Sequence, residues 1–403
     1  MGGRALRQAD KSGRRRTGLL GHDAGDELFV QMSARLSKAV RATDTVVRLG
    51  GDEFVIVLFD QPEAEDSVAG ALERLMKAVA EPLDLRGHRV QLGCSIGLAS
   101  YPLDGRDGNT LLKNADAAMY RAKELGKNTF EHFTADMRLK AQARLILQDG
   151  LLKAMAREAL CFQYQPQIDL ATQPVIGVET LIRWRHLNLG VVPPTTFIPL
   201  AEDNGMIVSL GLWVLRTACR QQVAWQRSGR PAIKLSVNVS PRQCKAPHFA
   251  NTVAAVLGET GIDPNLPGLE ITESHTMEDV ARALAMMNRT RALGVQLFID
   301  DSGTRTYGLS SLKNFPVSRP KIDSSFVNMP PGDTDDCILA KAVIALGHPL
   351  NLKVVAEGVE TQGQQDFLRA SPCDEMQGFH FSRPVSPAEV ASMPKRGANA
   401  EAR

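Results

Sequence analysis

Val295-Gln296-Leu297-Phe298-Ile299-Asp300-Asp301 is the stretch whose reading decides the fold. An apolar run broken only by Gln296 ends in two adjacent carboxylates. A buried strand whose last residues emerge into a polar site has this pattern. The pattern recurs along the chain. Val175-Ile176-Gly177-Val178 ends at Glu179, and Leu235-Ser236-Val237 ends at Asn238. Leu269 leads into Glu270, and Ile271-Thr272 into Glu273; Pro320 gives way to Lys321, and Val354-Val355-Ala356 ends at Glu357. Helix-length amphipathic segments separate these runs, which predicts parallel βα units. In barrels of such units, polar residues at the carboxyl ends of the strands converge on one face, where active sites lie. A single acid at a strand end reads as a solvated turn residue. Six strand ends in one region, all carrying Asp, Glu, Asn or Lys, point to a site instead.

The chain has 403 residues, enough for two domains with an ample core. Its apolar content of 43% and charged content of 23% are ordinary for a soluble protein. A net charge of +2 gives no global basic field, and no basic face is interleaved with aromatics, so nucleic acid is not an expected partner. Cys94, Cys161, Cys219, Cys244, Cys337 and Cys373 show no CxxC spacing and read as reduced thiols of a cytoplasmic protein. No stretch approaches the ~20 apolar residues of a membrane span. The start, rich in Arg and Gly, has no apolar core and is not a secretory signal. Residues 1–17 are expected to be a basic, disordered start.

The first domain is expected over residues 18–133. Gly21-His22-Asp23-Ala24-Gly25-Asp26 precedes a run in which Leu28, Phe29, Met32, Leu36 and Val40 keep helical spacing. Val46 to Leu58 then reads as a β-hairpin around Gly50-Gly51-Asp52-Glu53. Glycines there let a phosphate approach the backbone, and the acids can hold a divalent cation. Ser95-Ile96-Gly97 follows in a strand context, and Ala115-Asp116, Ala118-Met119-Tyr120, Ala122-Lys123, Gly126 and Asn128 in a helical one.

Together these residues resemble the GGDEF domain of diguanylate cyclases, which condense two GTP into cyclic di-GMP. The resemblance implies an opening strand with a metal-binding Asp, then an Asn that contacts guanine. Here Thr17 stands at the Asn position, after Lys11-Ser12-Gly13-Arg14-Arg15-Arg16, and no apolar strand precedes it. The expectation is a domain truncated at its N-terminus, without its central strand. Gly50, Gly51, Asp52 and Glu53 would then be a remnant with no synthase activity. Arg41 and Asp44 match the family's RxxD inhibitory motif, which implies a relic site gripping a cyclic di-GMP phosphate through the two-pronged guanidinium of Arg41.

A helical linker is expected over 134–144, continuing through Leu145, Leu147, Leu151, Leu152 and Met155, interrupted or kinked near Gly150. The second domain is expected over 145–393, followed by a flexible tail over 394–403. It carries Phe162-Gln163-Tyr164-Gln165-Pro166-Gln167, Glu179-Thr180-Leu181-Ile182-Arg183-Trp184, Asn238-Val239-Ser240-Pro241, Glu270, Glu273, Asp300-Asp301, Lys321-Ile322-Asp323, Glu357-Gly358-Val359-Glu360-Thr361 and Gln377-Gly378-Phe379. In order and spacing these resemble the EAL domain, the cyclic di-GMP phosphodiesterase family. The resemblance implies a modified (βα)8 barrel and hydrolysis of cyclic di-GMP to linear pGpG. It also implies a homodimer formed through this domain.

Glu179, Asn238, Glu270, Asp300, Asp301 and Glu357 are hard oxygen ligands with no His or Cys among them, which favours two Mg²⁺ or Mn²⁺ over zinc. So many carboxylates in one site need cations to neutralise them, and a metal pair can activate water and stabilise both oxygens of a phosphodiester displacement. Lys321 would orient the water or offset phosphate charge. The resemblance implies substrate contacts from Gln165, Leu181 and Arg183, catalytic support from Glu357, Glu360 and Gln377, and loop support from Glu273. The chain departs from the family in the loop after Asp301. Ser302 stands for Phe, Arg305 for the second Gly, and the aromatic shifts to Tyr307. Pro320 replaces the usual Leu and removes a backbone donor from its strand. Two alternatives follow: a catalytically impaired cyclic di-GMP receptor, or a truncated product without function.

Overall fold

In the computed structural model a strand, β1, runs from Gly3 to Ala9, where the sequence predicted a disordered start. The structure describes residues 3–9, 22–59, 65–156, 159–272, 280–302, 315–327 and 334–393. β1 pairs antiparallel with β3 (Glu53–Phe59) on one side and with β6 (Ser95–Ser100) on the other, so that Ala5 lies opposite both Val57 and Ala99. The five-stranded sheet has the order β2-β3-β1-β6-β7, with β2 spanning Thr45–Gly50 and β7 Phe130–His132. β1 is therefore the central strand, and the expectation that this strand was missing is overturned. The physical reason is that pairing is a backbone property. Two open edges recruit any segment able to supply N–H and C=O groups on both sides, even one carrying Arg4, Arg7 and Gln8. β1 itself carries no acid.

The chain divides into two compact units, Met1–Ile146 and Leu147–Arg403. In the first, the helix His22–Ala39 buries Leu28, Met32 and Leu36, and the helix Glu65–Ala80 buries Leu72 and Leu75, all against Phe54, Ile56 and Leu58 of β3. Between β2 and β3, Gly51 holds φ +56°, which glycine adopts without a Cβ clash. A short hairpin of β4 (Leu83–Leu85) and β5 (His88–Val90) and the helix Gly108–Glu124 complete the unit.

The helix Ala135–Ala156 runs through Gly150 without the interruption that the sequence allowed. A Cβ at Gly150 would stand 3.0 Å from Cζ2 of Trp184, so this glycine serves a close approach and not a break.

The second unit is a barrel built from β8 (Leu160–Asp169), β9 (Val175–His186), β11 (Lys234–Val239), β12 (Pro267–Thr272), β13 (Gln296–Ser302), β14 (Arg319–Ile322), β15 (Val355–Ala356) and β16 (Glu375–Met376). From β9 through β11 to β16 these strands pair in parallel. β8 closes the ring antiparallel to both neighbours, with Gln165 opposite Glu179 and Ile168 opposite Met376. β10 (Gly190–Val192) extends β9 as a hairpin outside the ring. Leu235, Val237, Leu269, Ile271, Leu297 and Ile299 are buried with Leu215, Ala218, Val253, Val256 and Met287 from the surrounding helices. Burial of each of the Val, Leu, Ile and Met side chains contributes roughly 1.5–3 kcal/mol.

Near the amino ends of the strands, the interior is closed by a buried ion pair, Arg319 to Glu375 at 2.9 Å, with Arg319 over the Phe298 ring. Gly268 makes room for that ring: a Cβ there would lie 2.1 Å from Phe298 Cε2. Pro320 lies within β14 opposite Ile299, and the β13–β14 register shifts between Ile299 and Ser302. The missing donor and the irregular register thus fall together.

Candidate active site

The parallel register brings the predicted strand-end residues to one end of the barrel. Ser236 pairs with Glu179, Asn238 with Glu270, and Thr272 with Asp300. Each polar side chain therefore follows a buried apolar segment, as the strand-end reading required. A cavity of about 240 Å³ opens there, lined by Gln165, Glu179, Asp300, Glu357, Glu360 and Gln377 among others.

Lys321 stands at the centre of the acids. Its side chain is 2% exposed, and its Nζ lies 2.8 Å from Glu270, 3.7 Å from Glu179 and 3.8 Å from Asp300; Glu357 pairs with it as well. Burial disfavours the ammonium, but the carboxylates outweigh it and hold its pKa well above the ordinary lysine value. The acids divide by what else touches them. Burial pushes Glu270 up to about 8 and Glu357 up to about 7, against the pull of Lys321. Burial acts on Glu179 too, but Lys321 and hydrogen bonds from Gln377 and Asn238 hold it below the usual carboxylate range.

Two amides fix the Glu179 carboxylate. Asn238 Nδ2 donates to Oε1 at 2.7 Å, and Gln377 Nε2 donates to Oε2 at 2.5 Å. Gln377 Nε2 also donates to Gln165 Oε1 at 3.0 Å, which ties β8 and β9 to the residue after β16 at the cavity wall.

A resident divalent cation fits these residues on two observations. The donors are all oxygens, and Glu270 Oε1 is buried with no hydrogen-bond partner. Among the described residues no three Asp, Glu, His or Cys side chains stand ready around a common point. The acids are gathered instead on the Lys321 ammonium. Asp301 lies on β13, but its side chain is outside the described residues.

Comparison with known proteins settles the family. The EAL domain model matches residues 148–384, and the model "Diguanylate cyclase, GGDEF domain" matches residues 17–129. The chain belongs to the EAL-domain family, with a GGDEF domain ahead of the EAL domain. The Pseudomonas aeruginosa protein MucR, described as a bifunctional diguanylate cyclase/cyclic di-GMP phosphodiesterase, is 42% identical over 369 residues. That match covers 92% of this chain and 53% of MucR. The cyclic di-GMP phosphodiesterase NbdA of the same organism is 37% identical over 366 residues, covering 91% of this chain and 46% of NbdA. The chain thus spans about half the length of these relatives. A solved structure titled "PaMucR Phosphodiesterase, c-di-GMP complex" superposes with a TM-score of 0.59 at 40% identity, over 61% of this chain and 99% of that one. The EAL domain of Mycobacterium smegmatis DcpA gives 0.50 at 35% identity, over 59% of this chain and 96% of that one.

The other residues that the EAL resemblance assigns differ in where they lie. Arg183 is not drawn to the cavity: its guanidinium donates to Gln163 Oε1 at 2.8 Å and to the Ile182 carbonyl at 3.0 Å. Leu181, beside it on β9, is half-buried and likewise absent from the cavity wall. Glu360 is exposed at the cavity rim. Of the altered loop 302–308, Ser302 is the last residue of β13, and residues 303–308, like Glu273, lie outside the described residues. Sequence reasoning missed Ser324, Gly358, Gly378 and Phe379 as wall residues. Ser324 had only its adjacency to Asp323 as a signal, whereas Gly358, Gly378 and Phe379 stand within the stretches that carry the EAL resemblance.

In the GGDEF domain the Asp44 carboxylate accepts from the backbone N–H of Arg41 at 2.9 Å and of Phe59 at 3.0 Å, so it anchors the turn to β3. Arg41 is exposed. Among the described residues no helix is long and apolar enough to cross a membrane.

Proposed function

We propose that this protein hydrolyses cyclic di-GMP to linear pGpG in the EAL barrel with the help of two divalent cations, Mg²⁺ or Mn²⁺. The observation that carries this reading is the gathering of Glu179, Glu270, Asp300 and Glu357 around the buried Lys321 ammonium beside the cavity. Glu179, Asn238, Glu270, Asp300, Asp301 and Glu357 would hold the cations. Bound there, the cations supply an activated water and charge neutralisation for the phosphodiester. The water oxygen bonds to phosphorus, the P–O3′ bond breaks, and the proton released from the water is balanced by one gained at O3′.

The chain's own residues do the rest. Lys321 offsets negative charge at the carboxylate cluster and orients the water. Gln377 sets the Glu179 carboxylate and the Gln165 amide in one arrangement. Gln165 contacts the nucleotide at the cavity wall, and Arg183 would have to release Gln163 to reach a phosphate. The GGDEF domain makes no cyclic di-GMP, because Thr17 stands at the guanine-binding Asn position and β1 brings no metal-binding acid. Arg41 and Asp44 are retained as a relic inhibitory site.

The test is incubation of the purified chain with cyclic di-GMP and Mg²⁺ or Mn²⁺, followed by nucleotide chromatography. Release of pGpG is the expected result. Binding without pGpG would favour the receptor reading, which rests on Ser302 and Arg305; neither binding nor turnover would overturn both.

A further inference from the structure

We propose that Gln167 is a positioning residue of the EAL site, acting through Gln377 on both Glu179 and Gln165. It lies two residues after Gln165 on β8, so its side chain shares the inner face of the barrel. It is 1% exposed. Its Nε2 donates to Gln377 Oε1 at 3.0 Å, and Ser236 Oγ lies 3.5 Å away. Space for this amide is left by Gly177, where a Cβ would come within 3.0 Å of Gln167 Oε1.

The consequence follows from the donor inventory of an amide. Gln377 has one carbonyl oxygen and one NH2 group. Because Gln167 donates to the oxygen, the NH2 must face the other way, toward Glu179 Oε2 at 2.5 Å and Gln165 Oε1 at 3.0 Å. The opposite orientation would set the Gln377 carbonyl against the Glu179 carboxylate and the Gln167 NH2 against another NH2. The Glu179 carboxylate, an acceptor only, demands the Gln377 NH2, and Gln167 supports that orientation by satisfying the Gln377 carbonyl, so that a ligand acid and a substrate amide are held together. Partners of this kind behind a metal ligand change affinity or activity by about 10–100-fold when removed. Gln167 Oε1 has no hydrogen-bond partner, so the side chain keeps a buried polar atom unsatisfied while it holds Gln377. A residue retained only for packing would do better as an apolar side chain of the same shape.

This inference rests on the metal and substrate assignment proposed above, and its test reads binding as well as turnover. The full chain is prepared as wild type, Gln167→Met, Gln167→Leu, Gln377→Leu and the Gln167→Met/Gln377→Leu double variant. Mn²⁺ affinity and cyclic di-GMP affinity are measured by calorimetry, thermal unfolding by circular dichroism. Gln167→Met should weaken Mn²⁺ binding by about tenfold with an unchanged or raised Tm. The double variant should match Gln377→Leu within about twofold, because both changes remove the same arrangement. Wild-type affinities for both ligands in Gln167→Met and Gln167→Leu would overturn the proposal. So would a Tm loss with wild-type affinities, or a double variant whose losses multiply. A wild-type chain that binds both ligands and releases no pGpG would overturn the proposed function but not this coupling.

Discussion

Replacing Lys321 by Met removes one positive charge from the centre of four carboxylates and leaves a side chain of similar length. The structure sets the scale. Nζ is 2.8 Å from Glu270, whose side chain is fully buried, and within 3.8 Å of Glu179 and Asp300. Deleting one partner of such a buried pair costs about 3–5 kcal/mol, because the acids left behind are uncompensated. For a unit of this size that corresponds to a Tm lower by roughly 6–20 °C.

The loss should depend on pH. Burial already raises Glu270 to about 8 and Glu357 to about 7 with Lys321 present, and without the ammonium both rise further. Acids whose folded pKa lies above the unfolded value make stability fall as pH climbs from the unfolded value toward the folded one. The gap between variant and wild type should therefore be small near pH 5.5, where protons can replace the ammonium, and widest near pH 8.5. A divalent cation competes with Lys321 for the same carboxylates, so Mn²⁺ should raise the Tm of the variant more than that of the wild type. The assay is thermal unfolding by circular dichroism in EDTA and in Mn²⁺ at both pH values. A variant Tm within about 2 °C of wild type in EDTA at pH 8.5 would refute the claim that Lys321 is the charge holding this cluster.

Glu179→Ala and Asp300→Ala should each abolish pGpG release, since no neighbour can replace either acid; a tenth of wild-type turnover surviving in either would show that the ligand assignment is wrong. Restoring the family loop with Ser302→Phe, Arg305→Gly and Thr306→Tyr should raise turnover about tenfold, or about 1.4 kcal/mol of transition-state stabilisation, and leave cyclic di-GMP affinity nearly unchanged; equal rates would exonerate the loop. Mn²⁺ affinity by calorimetry should climb between pH 6 and pH 8 and flatten above, because Glu357 and Glu270 must lose protons to bind a cation; a flat profile would place the cation on other groups. GTP with Mg²⁺ should yield no cyclic di-GMP by chromatography, and any product would mean that the GGDEF domain retains a working metal site.

The strand ends were legible because a buried run ending in an acid is a local pattern: Ile299-Asp300, Val178-Glu179 and Ala356-Glu357 all declare themselves within a few residues. The reversal of β8 was legible in principle. Five residues, 170–174, join it to β9, and a parallel connection needs about a dozen. β1 was not legible, because its pairing depends on two edges supplied by β3 and β6, more than forty residues away in sequence. Gly150 read as a break because helix propensity is local, while its reason, the Trp184 ring, is on another element. The central place of Lys321 was hidden for the same cause. Nothing in Pro320-Lys321-Ile322 says that acids from three other strands, and Glu357 just after a fourth, will gather around it.

The geometry also separates two kinds of damage that the sequence left entangled. Gln377 hydrogen-bonds both Gln165, the proposed substrate contact, and Glu179, a proposed metal ligand. A change at this end of the network, whether at Gln377 or behind it, must disturb binding and catalysis together. The loop after Asp301 is attached elsewhere, at the end of β13, on the far side of the acid cluster from β8. Changes there can shift Asp300 and Asp301 while leaving Gln165 where it is. Catalysis requires reacting groups held within about half an ångström of productive geometry, whereas binding tolerates more. A loop defect should therefore lower turnover ahead of affinity, and a defect in the glutamine network should lower both, so the ratio of the two losses reports which side of the barrel has been disturbed.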